Sequence, residues 1–157
     1  GAGGVAGIAI QIAKHIGARV ISTSSTANLD YVRSLGADQV IDYRTQDFTR
    51  EVSGCDCVFD TVGGGVATRS FSVVRPGGRA AFIASGGKAP ASPRPDVTSL
   101  RPQVGRDRPH LQRLAVLATS GAIRVPETKV YPLSEAAAAH AVSEGRHLRG
   151  KLVFKVR

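Results

Sequence analysis

At 157 residues, with 42% hydrophobic and 21% charged side chains, the chain has the size and balance of one globular domain able to bury a core. The formal net charge is +9, from 21 Lys+Arg against 12 Asp+Glu. No apolar run approaches the roughly 18 residues that a membrane-spanning helix needs, so no membrane association of that kind is expected.

The chain opens on a glycine cluster, GAGGVAG. Behind it Val5, Ile8, Ile12 and Ile16 recur at helical spacing with Ala9 and Ala13 beside them, and Gly17 supplies a stop, which predicts a helix over 5–16. That helix is apolar almost all round, as expected of one packed between a sheet and other elements. ARVIST (18–23) reads as a short buried strand. STANLDYVRSLG (25–36) reads as a helix capped by Ser25 or Thr26, with Leu29, Val32 and Leu35 inward. DQVIDY (38–43) is a strand, TQDFTREV (45–52) a weak helix, and DCVFDTV (56–62) another strand.

Cys55 and Cys57, the only cysteines, stand too close together for a mutual disulfide and have no second Cys/His cluster, so no zinc is expected of them. They read as small apolar residues on or beside a buried strand, in a reducing, cytoplasmic setting. GVATRSFSVV (65–74) then gives a helix, RPGG (75–78) a turn, and RAAFIAS (79–85) a strand. The rhythm breaks in the proline-rich stretch 86–109, a long loop with one short strand near 97–100. HLQRLAVLATSG (110–121) restores a helix with Leu111, Leu114, Ala115, Leu117 and Ala118 inward. The tail reads strand TKVYPL (128–133), helix SEAAAAHAVSEG (134–145) and strand GKLVFKV (150–156), the last half-exposed by its alternation. His140 reads as a surface residue of its helix and not as a proton donor. Strands alternating with helices at this spacing predict an α/β fold, a parallel sheet with helices on both faces.

Sixteen of the cations are arginine, with a local concentration at Arg94, Arg101, Arg106, Arg108 and Arg113. That stretch lacks interleaved aromatics and any recognisable nucleic-acid module. A solvated basic face that helps hold phosphate-bearing ligands is the expected reading, and nucleic acid is not an expected partner.

Gly1-Ala2-Gly3-Gly4-Val5-Ala6 fits G-x-G-x-x-(G/A). The first glycine allows a tight turn, the second lets the backbone approach a pyrophosphate, and a small third residue lets helix and sheet pack closely. The pyrophosphate then rests on the N–H groups at the positive end of the helix. Followed by a helix, a glycine stop, a strand and further βα units, the motif predicts a dinucleotide site. The end of the second strand selects the dinucleotide, because a carboxylate there would hold the 2′-hydroxyl of NAD. Here it reads Val20-Ile21-Ser22-Thr23-Ser24-Ser25, with no Asp or Glu before Asp30. Hydroxyls without a carboxylate leave room for a 2′-phosphate, so NADP(H) is favoured.

GAGGVAGIAIQIAKHIGARVISTSS, LGADQVIDY, VFDTVGG, RPGGRAAFIAS and VYPLSEAAAAHAVSEGRHLRGKLVFKV together resemble the medium-chain dehydrogenase/reductase superfamily, in its zinc-independent, quinone oxidoreductase-like branch. The resemblance runs in order over nearly the whole chain and is weakest between 87 and 109. It implies a Rossmann-type doubly wound sheet over 1–124 that lacks its first strand, and a segment, 125–157, whose strands would return to a GroES-like domain outside this chain. Truncation of a longer protein is the expected reason for the missing strand.

The resemblance also implies the cofactor contacts. Gly3, Gly4 and Val5, beside Gly1 of the same motif, would meet the pyrophosphate. Ser24, next to Thr23, and Tyr43 would meet the adenosine 2′-phosphate, as would Arg146. Thr61, Val62 and Gly63 would lie along the nicotinamide ribose, with Ser85 near the nicotinamide. Many relatives place a Lys just after the second strand, and this chain has none between Ser22 and Tyr31.

The implied activity is hydride transfer between NADPH and a quinone, enone or carbonyl, a small-molecule substrate, by a protein that is a homodimer when full length. No residue of this chain is expected to be catalytic, and alone it is expected to be inactive and poorly stable. The alternative reading is a non-catalytic NADP(H)-binding or RNA-interacting module.

Overall fold

The computed structural model of the chain describes every residue except Arg146 and His147. The chain runs α1 (Gly4–His15), β1 (Ile21–Ser24), α2 (Leu29–Ser34), β2 (Gln39–Asp42), α3 (Phe48–Glu51) and β3 (Cys55–Asp60). It continues through α4 (Gly64–Ser70), β4 (Val74–Phe82), β5 (Thr98–Leu100), α5 (Arg108–Thr119), β6 (Thr128–Pro132), α6 (Ala136–Glu144) and β7 (Lys151–Lys155). These elements form two compact units, residues 1–45 with 108–157, and residues 46–107.

In the first unit β1 and β2 pair in parallel from Ile21↔Gln39 to Ser24↔Asp42. Ile10, Val32, Leu35 and Ala37 form the core, with Ala2, Val20, Tyr31 and Val40 packed against it. The buried face of α1 is Gly4, Gly7, Ile10 and Gln11, while Val5 is 47% and Ile16 75% exposed. The helix is therefore not enclosed on all sides as its composition suggested. Its closest face is made of glycines, which hydropathy does not register. Gln11 is buried because it is satisfied: its Nε2 donates to Gly7 O at 3.1 Å, and its Oε1 accepts from Arg124 N at 2.8 Å. Asp38 ties this unit together by accepting from Val20 N–H at 2.6 Å and Lys14 Nζ at 2.9 Å. The Val20 N–H first, then Lys14, hold its carboxyl below the ordinary carboxylate range.

β6 and β7 pair in parallel from Thr128↔Lys151 to Pro132↔Lys155, with α6 as the crossover between them. From the sequence, these strands are assigned to a domain outside the chain and left without a partner within it; the pairing corrects the second part. The crossover helix lets 128–155 close a βαβ unit of its own. A second correction concerns α5. None of its residues is buried, and Leu111, Leu114 and Val116 are 62%, 45% and 65% exposed. Its stripe was expected inward from periodicity, which reports an apolar face but not a surface to receive it.

In the second unit β3, β4 and β5 form a parallel sheet in that order. Ala67, Phe71, Val74, Ala80, Phe82 and Val97 form its core, with the Phe71 and Phe82 rings 5.2 Å apart. The predicted RPGG turn lies inside β4. While β3 advances from Cys55 to Cys57, β4 advances from Val74 to Arg79, so residues 75–78 loop out of the ladder. Arg94 pins the proline-rich segment by donating to Phe71 O at 3.1 Å and Val74 O at 2.6 Å while pairing with Asp96. Cys55 is half-buried but Cys57 is exposed, so only the first fits the expected burial; neither is in a disulfide. Among the described residues β1 has β2 as its one strand neighbour and β3 has β4. The all-parallel orders β2-β1 and β3-β4-β5, joined by helical crossovers, are those of a Rossmann-type α/β fold. No helix among the described residues is long and apolar enough to cross a membrane.

Two outcomes follow from this packing. Phe82→Ala removes a fully buried ring and is expected to cost about 3–5 kcal/mol in a urea titration. Asp38, Asp42, Asp47 and Asp96 all have folded pKa values below the ordinary one. Their contribution is complete above the ordinary carboxylate pKa of about 4 and is lost as pH falls through the lower folded values. Melting temperature is expected to hold from pH 7 to about 5 and to drop below about 4. Asp38→Asn should lower it at pH 7 and flatten that acid slope.

Candidate functional site

In each unit the candidate residues sit at or just past the carboxyl ends of that unit's own strands, and the carboxyl ends are where open α/β sheets bind ligands. Ser24 ends β1, Asp42 ends β2, Asp60 ends β3, and Ser85 follows the end of β4.

At the amino end of α1, Gly3 is the N-cap, is exposed, and provides no side-chain cap. Gly7 N–H makes the first intrahelical bond, to Gly3 O at 2.8 Å. Gly4 N–H donates to Gly150 O at 3.2 Å, and Gly150 N–H donates back to Ala2 O at 3.1 Å, forming a parallel bridge between Gly3 and Gly150. The N–H groups of Val5 and Ala6 have no backbone acceptor among the described residues. No acidic side chain stands in the first turn, so the positive end of the helix is uncompensated. Gly4, predicted to face a pyrophosphate, is buried, and the aliphatic stem of Lys151 crosses directly over it.

Thr23 and Ser24 lie beside this turn, where Gly1 N donates to Thr23 O at 2.5 Å. Ser24 is only 2% exposed and its Oγ has no hydrogen-bond partner among the described residues. A buried hydroxyl without a partner is costly, and it marks a place where a polar ligand atom would be accommodated. Tyr43 N–H donates to Ser24 O at 3.1 Å, which brings the backbone of the second predicted 2′-phosphate residue against the first, and the Tyr43 side chain is 49% exposed. Asp42 closes this end. It accepts from Thr26 Oγ1 at 2.5 Å and from Arg44 N–H at 3.0 Å. The Thr26 hydroxyl first, then the Arg44 N–H and the Arg44 charge, hold its carboxyl below the ordinary range. Arg146 lies outside the described residues.

In the second unit the segment after β3 is organised by Asp60, which is 4% exposed. Its Oδ1 accepts from Val62 N–H at 3.2 Å and Gly63 N–H at 2.7 Å, so Thr61, Val62 and Gly63 form a fixed turn with the Val62 side chain 65% exposed. Gly63 has φ +80, and a Cβ there would stand 2.7 Å from Ala84 O, so the turn and the chain leaving β4 approach too closely for any side chain. Ser85 is half-buried and its Oγ donates to Lys88 O at 2.8 Å.

Asp42, Asp60 and Gly150 went unread in the sequence as parts of these ends. An Asp at a strand end followed by turn residues, as in IDYR and FDTVGG, is the signal that finds the first two. Gly150 carries no local signal. An open depression of about 500 Å³ lies between β6 and the end of α6, lined by Glu127, Lys129, Val142 and Arg149 among others, and none of the predicted cofactor residues among the described ones lines it. His140 is exposed on α6. Among the described residues no group of three or more His, Cys, Asp or Glu is placed to hold a metal ion.

The zinc-binding dehydrogenase family model matches residues 35–154. The chain is 33% identical over 157 residues to the chloroplastic NADPH-dependent alkenal/one oxidoreductase of Arabidopsis thaliana, covering 98% of this chain and 38% of that protein. Its structure is similar to that of the quinone oxidoreductase from Coxiella burnetii, with a TM-score of 0.88 and 33% identity over 99% of this chain and 50% of that one. It is also similar to the Escherichia coli quinone oxidoreductase complexed with NADPH, with a TM-score of 0.80 and 28% identity over 95% of this chain and 53% of that one. The chain belongs to the zinc-binding dehydrogenase family, within the medium-chain dehydrogenase/reductase superfamily. It spans about half the length, or less, of the relatives it matches.

Asp60→Ala removes the acceptor of two N–H groups and is expected to cost about 1–3 kcal/mol in chemical denaturation. Gly63→Ala is expected to cost a similar ~1–3 kcal/mol, because its backbone lies in a region that side chains rarely adopt. Either variant matching the parent in a urea titration would show that this turn is not fixed as described.

Proposed function

We propose that this chain is the cofactor-binding part of an NADP(H)-dependent oxidoreductase that moves hydride between the nicotinamide and a quinone, enone or carbonyl substrate. The observation that carries the reading is the buried Ser24 Oγ at the end of β1, beside a helix terminus with the N–H groups of Val5 and Ala6, none of which has a hydrogen-bond partner among the described residues. A polar, anionic ligand that reaches from one to the other satisfies both, and a dinucleotide has that chemistry.

On this reading the pyrophosphate rests at Gly1, Gly3, Gly4 and Val5. With Gly4 N–H directed at Gly150 O, the donors left to it are those of Val5 and Ala6. Ser24 and Tyr43, with Arg146, take the adenosine end; Thr61, Val62, Gly63 and Ser85 take the nicotinamide end. The nicotinamide supplies the hydride when bound. The residues of this chain hold and orient the cofactor, and none of them donates a proton in the reaction. Residues 1–124 form the dinucleotide-binding portion and 125–157 the returning segment of a substrate domain. The whole protein works without zinc, in the cytoplasm, as a homodimer.

The test is calorimetric titration of NADPH and NADH into the whole protein. NADPH is expected to bind at least about tenfold tighter, roughly 1.4 kcal/mol. Thr23→Asp should shift the preference toward NADH by supplying an acceptor for the 2′-hydroxyl and repelling a 2′-phosphate. Equal affinities in the parent protein would sink the reading of this strand end.

A further inference from the structure

The adenosine end of the site has hydroxyls but, on β1, no cation. Between Ser22 and Tyr31 there is no Lys or Arg. The carboxylate of Asp42 also lies at this end, as the register partner of Ser24. Hydroxyls alone, next to a buried carboxylate, make a poor seat for a phosphate. Arg146, assigned to this end above, lies outside the described residues, and among the described ones a positive group has to come from elsewhere in the fold.

Arg44 stands where such a group is needed. Tyr43 N–H bonds to Ser24 O, which continues the β1–β2 ladder one residue beyond β2 and leaves residue 44 at the strand-end edge. The backbone there is fixed, with Arg44 N–H on Asp42 Oδ1 at 3.0 Å and Thr45 N–H on Asp42 O at 3.1 Å. Arg33, Arg69, Arg75, Arg94 and Arg149 each pair with a nearby carboxylate. The guanidinium of Arg44 makes no direct hydrogen bond or close ion pair among the described residues, although its charge acts on the Asp42 carboxylate two positions away. The Asp42 oxygens already accept from the Thr26 hydroxyl and the Arg44 backbone. The result is an exposed guanidinium on a rigid turn, one residue past the Tyr43 N–H bond to Ser24 O, at the strand end where the buried Ser24 Oγ has no partner among the described residues.

We propose that Arg44 is the specificity-determining cation of this site, pairing with the 2′-phosphate of NADP(H) while Ser24 Oγ donates to it from β1. The proposal rests on the dinucleotide reading and adds to it a residue that selects between the phosphorylated and unphosphorylated cofactors. A guanidinium suits the role because its planar fork meets two phosphate oxygens at once and stays charged at every relevant pH. Asp42 is the positioning residue. It is engaged by Thr26 and by the Arg44 backbone, so it shapes the turn while its effect on the Arg44 side chain is through charge and not through a direct bond.

The test uses adenosine 2′,5′-bisphosphate, adenosine 5′-monophosphate and inorganic phosphate, titrated calorimetrically into the whole protein and its variants. Wild type is expected to prefer the bisphosphate over the monophosphate by at least about tenfold. Arg44→Ala, which keeps the backbone N–H that Asp42 needs, should lose most of that preference and leave the monophosphate affinity unchanged. Arg44→Lys should restore part of it, and Arg33→Ala, an equal loss of charge on α2, should leave it intact. Thermal melts of each variant report folding, and the lysine variant keeps the comparison readable if the alanine variant melts early. A preference that survives Arg44→Ala overturns the role of Arg44 while leaving the NADP(H) reading standing. Absence of any preference in wild type overturns both. An equal effect of Arg33→Ala, or equal weakening of both nucleotides by Arg44→Ala, reduces the effect to bulk charge and overturns the proposal. Inorganic phosphate binding as tightly as the bisphosphate would show a simple anion site and overturn it too.

Discussion

The first unit depends on a contact at which no side chain fits. Gly150 has φ +72, and a Cβ on it would lie 2.0 Å from Glu127 O, so the chain can enter β7 only through a glycine. From that point Gly150 exchanges hydrogen bonds with Ala2 and Gly4, and Lys151 begins the pairing with β6. Arg149, just before it, pairs with Glu127 and stacks 3.9 Å over the Tyr31 ring. The glycine turn at the start of α1 is thus held by the far end of the chain as well as by β1. Its geometry is a tertiary property, not a local one.

Much of this architecture is legible in the sequence, because alternating strands and helices are read from periodicity and punctuation. Most strands end within two residues of where expected, β4 ends three residues early, and the RPGG turn is found, although it lies inside β4. What periodicity cannot report is a partner. The stripe Leu111–Leu114–Ala118 has the spacing of a packed helix, yet α5 lies exposed. Conversely α1 buries Gly4, Gly7 and Gln11, which no apolar scale would select. The pairing of β6 with β7 was missed for a related reason: a resemblance to larger proteins directs attention to an outside partner, while a single crossover helix suffices to close the pair.

The site was legible in its types more than in its geometry. The glycine pattern and the hydroxyl-rich end of β1 stand out in the sequence. Their structural supports, Asp42 and Asp60, are acidic residues whose visible role is to gather N–H groups at the ends of β2 and β3. They follow a single scheme: a strand ends on a carboxylate, and the carboxylate shapes the turn that follows. The family membership sets the same elements in a common context, since its members include proteins about twice as long as this chain.

The division of the chain into 46–107 and a unit built from both flanks has a consequence for the order of assembly. The middle unit is continuous, and its β3-β4-β5 ladder forms between neighbours in sequence. The flanking unit relies on bonds such as Arg124 to Gln11, across 113 residues. Long-range closures of this kind carry the largest loop entropy and form slowly. On the ribosome the three strands of the middle unit are all made before residue 108, whereas α1 gains its bridge to Gly150 only when synthesis reaches β7. Until β7 arrives, the glycine turn lacks one of its two walls.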